Sequence, residues 1–169
     1  MTDRPGDRSS PAGRALGACL AGVARPPADR DAYQPGILLQ DGEYRVVLGR
    51  TAGHAVVCTA EPDPNDPAKT SYKLYVDTFI GQSIPVRRLS VPALGPGGTK
   101  VPFVGIVPPS GRSMVADFSV GKAVNVPVAN GTFGMWLPAE AKPVWNGETW
   151  VRTDDDRPAT LFNGYVPMK

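Results

Sequence analysis

The chain is poor in the residue types that many hydrolytic enzymes and zinc sites use. Its 169 residues include one histidine, His54, and two cysteines, Cys19 and Cys58. A Ser-His-Asp or Cys-His mechanism would have to use His54, and no segment has the pattern of a nucleophile elbow. A structural zinc site needs three or four closely spaced ligands, which these residues do not supply. We therefore expect no catalytic residues, no metal and no cofactor.

Excess charge of one sign and long apolar runs are also lacking. The formal net charge is +2, which gives no field strong enough to indicate a nucleic-acid partner. No apolar run approaches the ~18 residues of a membrane-spanning helix, so we expect no membrane span in this chain. The partner that remains is an unknown protein or a cell-surface ligand.

Turn-forming residues are abundant, with 19 glycines and 19 prolines. Their share stays below the roughly 25–30% that is typical of disorder, and a chain of this length can bury about 70% of its extended surface. The composition predicts a mainly β fold of antiparallel, sandwich-like sheets with one short N-terminal helix packed on the first sheet. We expect residues 1–10 to be disordered and residues 11–169 to form a single domain, with a seam between sub-sheets near 95–98.

The N-terminal helix is predicted over residues 11–24. Ser10 and Pro11 are typical of an N-cap followed by the first helical position, and Pro26-Pro27 ends the segment. One helical face then carries Leu16, Cys19, Leu20 and Val23.

Two turns predict a meander after the helix. Asp41-Gly42 is a hairpin signal that sets Leu39 opposite Tyr44, and a turn centred on residues 51–53 sets Val46 opposite Cys58. With these registers one face carries Ile37, Leu39, Tyr44, Val46, Leu48, Val56 and Cys58. We expect the helix to cover this sheet.

The helix-on-sheet arrangement brings Cys19 within reach of Cys58. In an oxidising compartment the pair would form a disulfide that closes a loop of about 39 residues and stabilises the fold by about 3–4 kcal/mol. In the cytosol they would be two small buried hydrophobic residues. A catalytic thiol would need a positive neighbour to lower its pKa, and the sequence places none beside either cysteine.

The strongest hairpin signal is Asn130-Gly131, because both central positions of this turn favour residues that tolerate positive φ. It lies in a stretch, 113–138, that predicts three consecutive antiparallel strands. The turn sets Val128 opposite Phe133 and Val126 opposite Met135. A three-residue loop over 121–123 then aligns the preceding strand, whereas a two-residue turn at 121–122 would mismatch its apolar face.

Other segments predict further strands. Alternation indicates a strand over 72–76, and another is expected over 84–91, with Arg87-Arg88 exposed. Residues 101–107 are apolar on both faces and predict a central strand. Asn146-Gly147 marks one more hairpin. The acidic sets Asp63, Asn65, Asp66 and Asp154, Asp155, Asp156 are interpreted as solvated turns, since neither has the loop glycine and distal glutamate of a helix-loop-helix calcium site.

Three tryptophans form the candidate binding surface: Trp136, Trp145 and Trp150. Trp136 is expected on the face opposite Met135. If exposed on a sheet, these rings would form a stacking platform for a sugar or a peptide. The alternative is that they pack in the core or at a sheet edge.

Several segments also resemble a known class of protein. The segments ALGACLAGVA, EYRVVLGRT and AVVC, together with VPFVGIVPPSGRSMVADFSVGKAVNVPVANGTFGMWLP, are similar to soluble extracytoplasmic portions of actinobacterial membrane-anchored proteins, some of which follow sigma-factor-like or anti-sigma-like regions. The resemblance covers roughly residues 15–140. It implies an extracytoplasmic location, and no functional residues carry over from it.

Three function hypotheses follow. The first is a non-enzymatic extracytoplasmic module for sensing or binding. The second is a carbohydrate-binding or structural protein of a cell or virion surface that uses the tryptophan-bearing sheet. The third is an enzyme of another type, which would need an acidic residue beside His54 in a deep pocket. A cytoplasmic location is the alternative if the two cysteines are not bonded.

Overall fold

The computed structural model describes residues 7–78, 86–108, 111, 113–118, 123–138, 149–153 and 158–161, the last two ranges as backbone. Within these ranges, one α-helix, α1 (Pro11–Gly22), precedes twelve strands. The strands are β1 Gln34–Asp41, β2 Tyr44–Arg50, β3 His54–Pro62, β4 Thr70–Thr78, β5 Arg87–Leu89, β6 Pro102–Ile106, β7 Met114–Asp117, β8 Ala123–Val126, β9 Val128–Ala129, β10 Thr132–Trp136, β11 Thr149–Thr153 and β12 Pro158–Leu161.

The strands form three four-stranded antiparallel sheets. Their orders are β1-β2-β3-β4 in the first sheet, β5-β6-β10-β9 in the second and β12-β11-β7-β8 in the third. Helix α1 contacts all four strands of the first sheet. The predicted fold class, mainly β antiparallel sheets with one N-terminal helix on the first sheet, is confirmed.

Three apolar clusters lie between these layers. The helix cluster joins α1 to the first sheet through Leu16, Cys19, Leu20, Tyr33, Val47, Val56 and Cys58. The middle cluster joins the first and second sheets through Leu39, Val46, Leu48, Ala55, Val57, Leu89, Val91, Leu94, Val104 and Ile106. The inner cluster joins the second and third sheets through Val86, Phe103, Val107, Met114, Ala116, Phe118, Val126, Phe133 and Leu137. The first and second sheets are therefore apolar on both faces.

The predicted face of the first sheet is partly wrong. The turn after β2 has only two central residues, so Val47, and not Val46, lies opposite Cys58. This shift of one residue moves Val56 and Cys58 to the opposite face, under α1, because neighbouring side chains in a strand point to opposite sides. The helix therefore covers Val56 and Cys58 of β3, as predicted, but on β2 it covers Val47 instead of Val46 and Leu48.

The Asp41-Gly42 register is also wrong, by two residues. Asp41 is the last residue of β1 and pairs with Tyr44, and Leu39 pairs with Val46. Gly42 is the first central residue of the turn, with φ +59°. A turn with glycine first needs positive φ only there, which leaves Asp41 in the strand.

The Asn130-Gly131 turn is confirmed, but its hairpin is short. Both residues have positive φ, and Val128 pairs with Phe133 as predicted. The pairing of Val126 with Met135 is wrong, because Val126 belongs to β8 of the third sheet and pairs with Met114. Pro127 has no N–H to donate to a ladder, and the chain changes sheets there.

The loop between β7 and β8 is longer than predicted. Ala116 pairs with Val124 and Asp117 with Ala123, so five residues separate the paired ends rather than the three expected over 121–123. The apolar alternation is kept, since Met114, Ala116 and Val126 all lie in the inner cluster.

Other predicted strands are found where the structure describes them. β4 covers 72–76, and β6 is central, with β5 and β10 on either side and all five residues buried. Of the strand predicted over 84–91, the structure has β5, and residues 84–85 lie outside the described ranges. The stretch 95–98 connects β5 to β6, which are neighbours in one sheet; the division into domains stays a prediction.

The helix begins as predicted. The Ser10 side chain accepts a hydrogen bond from the Gly13 N–H at 3.0 Å and donates one to the Asp7 carbonyl at 2.6 Å. Of the segment expected to be disordered, residues 7–10 therefore form the helix cap, and residues 1–6 lie outside the described ranges.

Replacing Ser10 by alanine is expected to lower the free energy of unfolding by about 1 kcal/mol, because one N–H of the first helical turn loses its acceptor. Urea denaturation followed by circular dichroism measures the change. Ser9→Ala is the matched control, since the Ser9 side chain is exposed and bonds only Asp7. Equal losses in the two variants would contradict the assigned cap.

The Asn130-Gly131 turn also joins the second sheet to the first. The Thr132 hydroxyl accepts from the Ile37 N–H at 2.8 Å, and the Asn130 amide donates to the Pro35 carbonyl at 3.1 Å. Gly36 allows this approach, because a Cβ there would lie 2.2 Å from the Thr132 hydroxyl oxygen. Arg50 donates to the Gly131 carbonyl from the other side of the turn.

Candidate functional site

The two cysteines lie in the helix cluster and form a disulfide. Cys19 comes from the inward face of α1 and Cys58 from β3, with a Cα–Cα distance of 6.2 Å. Their exposed fractions are 2% and 1%. The bond joins the helix to the centre of the first sheet and is shielded from solvent, which is typical of a structural rather than an exchanging disulfide.

The structure describes little of the tryptophan surface. Trp136 is half-buried and packs against the middle cluster, and its indole Nε1 is buried with no hydrogen-bond partner among the described residues. Trp145 and the Asn146-Gly147 hairpin lie outside the described ranges. Trp150 is described only as backbone, in β11, where it pairs with Asp117. A shared surface of the three rings stays a prediction.

The arginine pair of β5 was predicted to be exposed, and for Arg88 this is wrong. Arg88 is 5% exposed, and its guanidinium carbon lies 5.6 Å from the centre of the Phe103 ring. Burial lowers the pKa of Arg88 to about 10, since a charged group is disfavoured in an apolar setting. It remains charged at neutral pH, and the ring face offers it favourable electrostatics.

Arg87, its neighbour in β5, faces the first sheet. Its Nε and Nη2 lie 2.9 and 3.1 Å from the two carboxylate oxygens of Asp77 in β4. A bidentate pair of this kind holds both side chains in a fixed geometry. It links β4, the last strand of the first sheet, to β5, the first strand of the second.

A recess lies beside this ion pair and is a candidate for a binding surface. Its cavity volume is about 430 Å³. The lining combines apolar side chains with the polar groups of Tyr75, Asp77 and Ser90: Val57, Leu74, Tyr75, Val76, Asp77, Leu89 and Ser90. Among the described residues, Val76 is the large hydrophobic side chain that is exposed, at 54%. Apolar recesses with few polar groups are the usual places for ligands and partners.

The sequence pointed to β4 as a strand but gave no signal that it was an edge. Tyr72, Leu74 and Val76 alternate as they would in any half-buried strand. Whether a strand lies inside a sheet depends on pairings between distant segments, which alternation does not encode. The recess was therefore missed.

The remaining polar candidates have local roles. His54 Nδ1 lies 3.1 Å from the Thr78 hydroxyl. The acidic loop is closed by its own backbone, with the Asp63 N–H bonded to the Lys69 carbonyl at 2.9 Å, and the Asp63 carboxylate accepts from the Asn65 N–H at 2.8 Å. Within the described ranges, no three acidic, histidine or cysteine side chains are grouped as a metal site requires. Residues 154–156 lie outside those ranges.

Comparisons with protein-family models, curated proteins and solved structures found nothing that matches this chain. In the part of the chain that the structure describes, no helix has both the length and the apolar character needed to cross a membrane.

Proposed function

We propose that this chain is a non-enzymatic module for binding or sensing that works outside the cytoplasm. The observation that carries the proposal is the buried Cys19–Cys58 disulfide between α1 and β3. Structural disulfides persist in oxidising compartments and are rare in the cytosol of most organisms. The location implied by the resemblance to extracytoplasmic domains agrees with this.

The surface that supports binding is the outer side of β4 with the recess beside it. Val76 leaves half of its side chain in water, and the recess adds apolar lining from Leu74 and Leu89. Protein interfaces combine apolar contact at the centre with polar groups at the rim, and this surface offers both.

The compartment is tested by the redox state of the cysteines in the native organism. Cells are acid-quenched, free thiols are alkylated under denaturing conditions, and the intact mass is measured before and after reduction. We expect no alkylation before reduction and two alkyl groups after it. A Cys58→Ala variant, with one thiol, calibrates the mass shift. Two alkylated thiols in unreduced material would place the protein in a reducing compartment and overturn the proposal.

A further inference from the structure

β4 is a long edge strand. It has nine residues and is the last strand of the first sheet, and among the described residues no strand pairs with its outer side. Edge strands present unpaired backbone N–H and C=O groups that can accept another strand. The side chains of β4 then determine which strand can pair with this edge.

The sequence of β4 is complementary to itself. If a second copy pairs antiparallel about Tyr75, Lys73 lies opposite Asp77 of the second copy, and Asp77 lies opposite its Lys73. On the other face, Leu74 lies opposite Val76 of the second copy, again twice. Directly opposite unlike charges and apolar pairs are the contacts that stabilise neighbouring strands.

Other antiparallel registers lack this match. A register centred on Leu74 sets Lys73 opposite Tyr75 and Asp77 opposite Ser71. One centred on Val76 sets Asp77 opposite Tyr75. A register shifted by one residue sets Tyr75 opposite Leu74 or Val76 and moves Lys73 opposite Val76 or Thr78, so it forms neither ion pair. Only the register about Tyr75 forms the two ion pairs.

We propose that two copies of this chain pair through β4, antiparallel about Tyr75, so that the two first sheets form one continuous eight-stranded sheet. This dimer gives the outer side of β4 a partner, and to that extent the proposal rests on the proposed function. A two-fold axis through Tyr75 makes the contact isologous and closed, which is the commonest symmetry of soluble dimers.

In a single copy, the side chains of Lys73, Val76 and Asp77 are already placed to make this contact. Arg87 fixes the Asp77 carboxylate from within the same chain, at 2.9 and 3.1 Å, and a carboxylate has further lone pairs for a second cation. Lys73 is exposed, and Val76 loses its 54% exposure when the second strand covers it. A strand edge is small beside the ~1,000 Å² of a stable interface, so we expect a dimer that dissociates on dilution.

Charge reversal tests the register by sedimentation velocity over a concentration series. Lys73→Asp and Asp77→Lys each set like charges opposite one another twice, so each variant alone should dissociate about tenfold more readily than the wild type. An equimolar mixture of the two should associate more readily than either variant alone, since each charge of one β4 strand then meets its opposite on the other, although Arg87 of the Asp77→Lys chain loses its own partner. Lys69→Asp, in the loop before β4, is the matched control and should leave the dimer unchanged.

A cross-link tests the same axis without disturbing the Asp77–Arg87 pair. In Tyr75→Cys, the two cysteines lie directly opposite one another across the axis, and the closer type of cross-strand pair brings their Cβ atoms to about 4.5 Å, which a disulfide can span, so oxidation should give a covalent dimer. Thr78→Cys lies away from the axis and should stay monomeric. Circular dichroism verifies that each variant is folded.

A wild type that is monomeric at every concentration, a mixture that does not associate, or no covalent dimer in Tyr75→Cys would each overturn the inference. Dimers that persist equally in both charge variants would also overturn it, because another surface would then hold them. The redox state of Cys19 and Cys58 in acid-quenched cells reports on the proposed compartment independently, because the dimer tests use purified protein.

Discussion

Replacing both Cys19 and Cys58 by alanine is expected to lower the free energy of unfolding by about 3–4 kcal/mol. The bond joins residues 39 positions apart, and in the chain-entropy account a cross-link of that span removes this much freedom from the unfolded chain. Alanine leaves no unsatisfied hydrogen-bond donor between α1 and β3, so the lost cross-link dominates the change in the free energy of unfolding. Urea denaturation followed by tryptophan fluorescence measures it.

The single variant Cys19→Ala serves as the matched control. It breaks the same cross-link and leaves one buried thiol in the helix cluster, where a thiol behaves as a small hydrophobic side chain. The single and double variants should therefore lose nearly equal amounts. A double variant as stable as the wild type would show that the bond adds nothing to the stability of α1 on the first sheet.

The disulfide shows how a correct prediction arose from a partly wrong register. The sequence analysis placed Cys58 on the same face as Val46, whereas the structure pairs it with Val47 and places it under α1. The prediction of proximity survived because the first sheet is apolar on both faces. Either face could have received the helix, and hydrophobic pattern alone did not choose between them.

Turns were easy to find and hard to centre. Asn130-Gly131 was centred correctly because both residues have positive φ, which few other pairs tolerate. Asp41-Gly42 has one glycine, and that glycine satisfies a turn centred one residue later equally well. Since strand registers follow from the turn, each uncertain centre shifted every pair in the hairpin.

The third sheet and the candidate binding surface depend on contacts between distant segments. Pro127 marks the point where the chain leaves β8 for β9, and a proline in a strand pattern does indicate an edge or an interruption. Nothing local indicates that β7 and β8 lie in a different sheet from β9 and β10, or that β5 places Arg88 against Phe103. The assignment of strands to sheets and the position of Arg88 depend on how whole sheets pack against one another.

Replacing Phe103 by alanine is expected to lower the free energy of unfolding by about 3–5 kcal/mol, the range for large aromatic side chains in a packed core. Phe103 is 0% exposed on the central strand β6. Its ring lies edge-on to Phe118, with centroids 4.8 Å apart, and 5.2 Å from Phe133. Deleting it removes contacts from both the second and the third sheet, and thermal and urea unfolding should both record the loss.

Phe103→Leu is the matched control, because it keeps most of the apolar volume and removes the aromatic ring. We expect it to lose markedly less than the alanine variant, the remainder being due to the ring pairs and to the Arg88 guanidinium 5.6 Å above the ring. A loss below about 0.5 kcal/mol in Phe103→Ala would be the size seen at surface positions. In that case the inner cluster would not hold the third sheet on the second, because truncating one of its fully enclosed side chains would leave the stability unchanged.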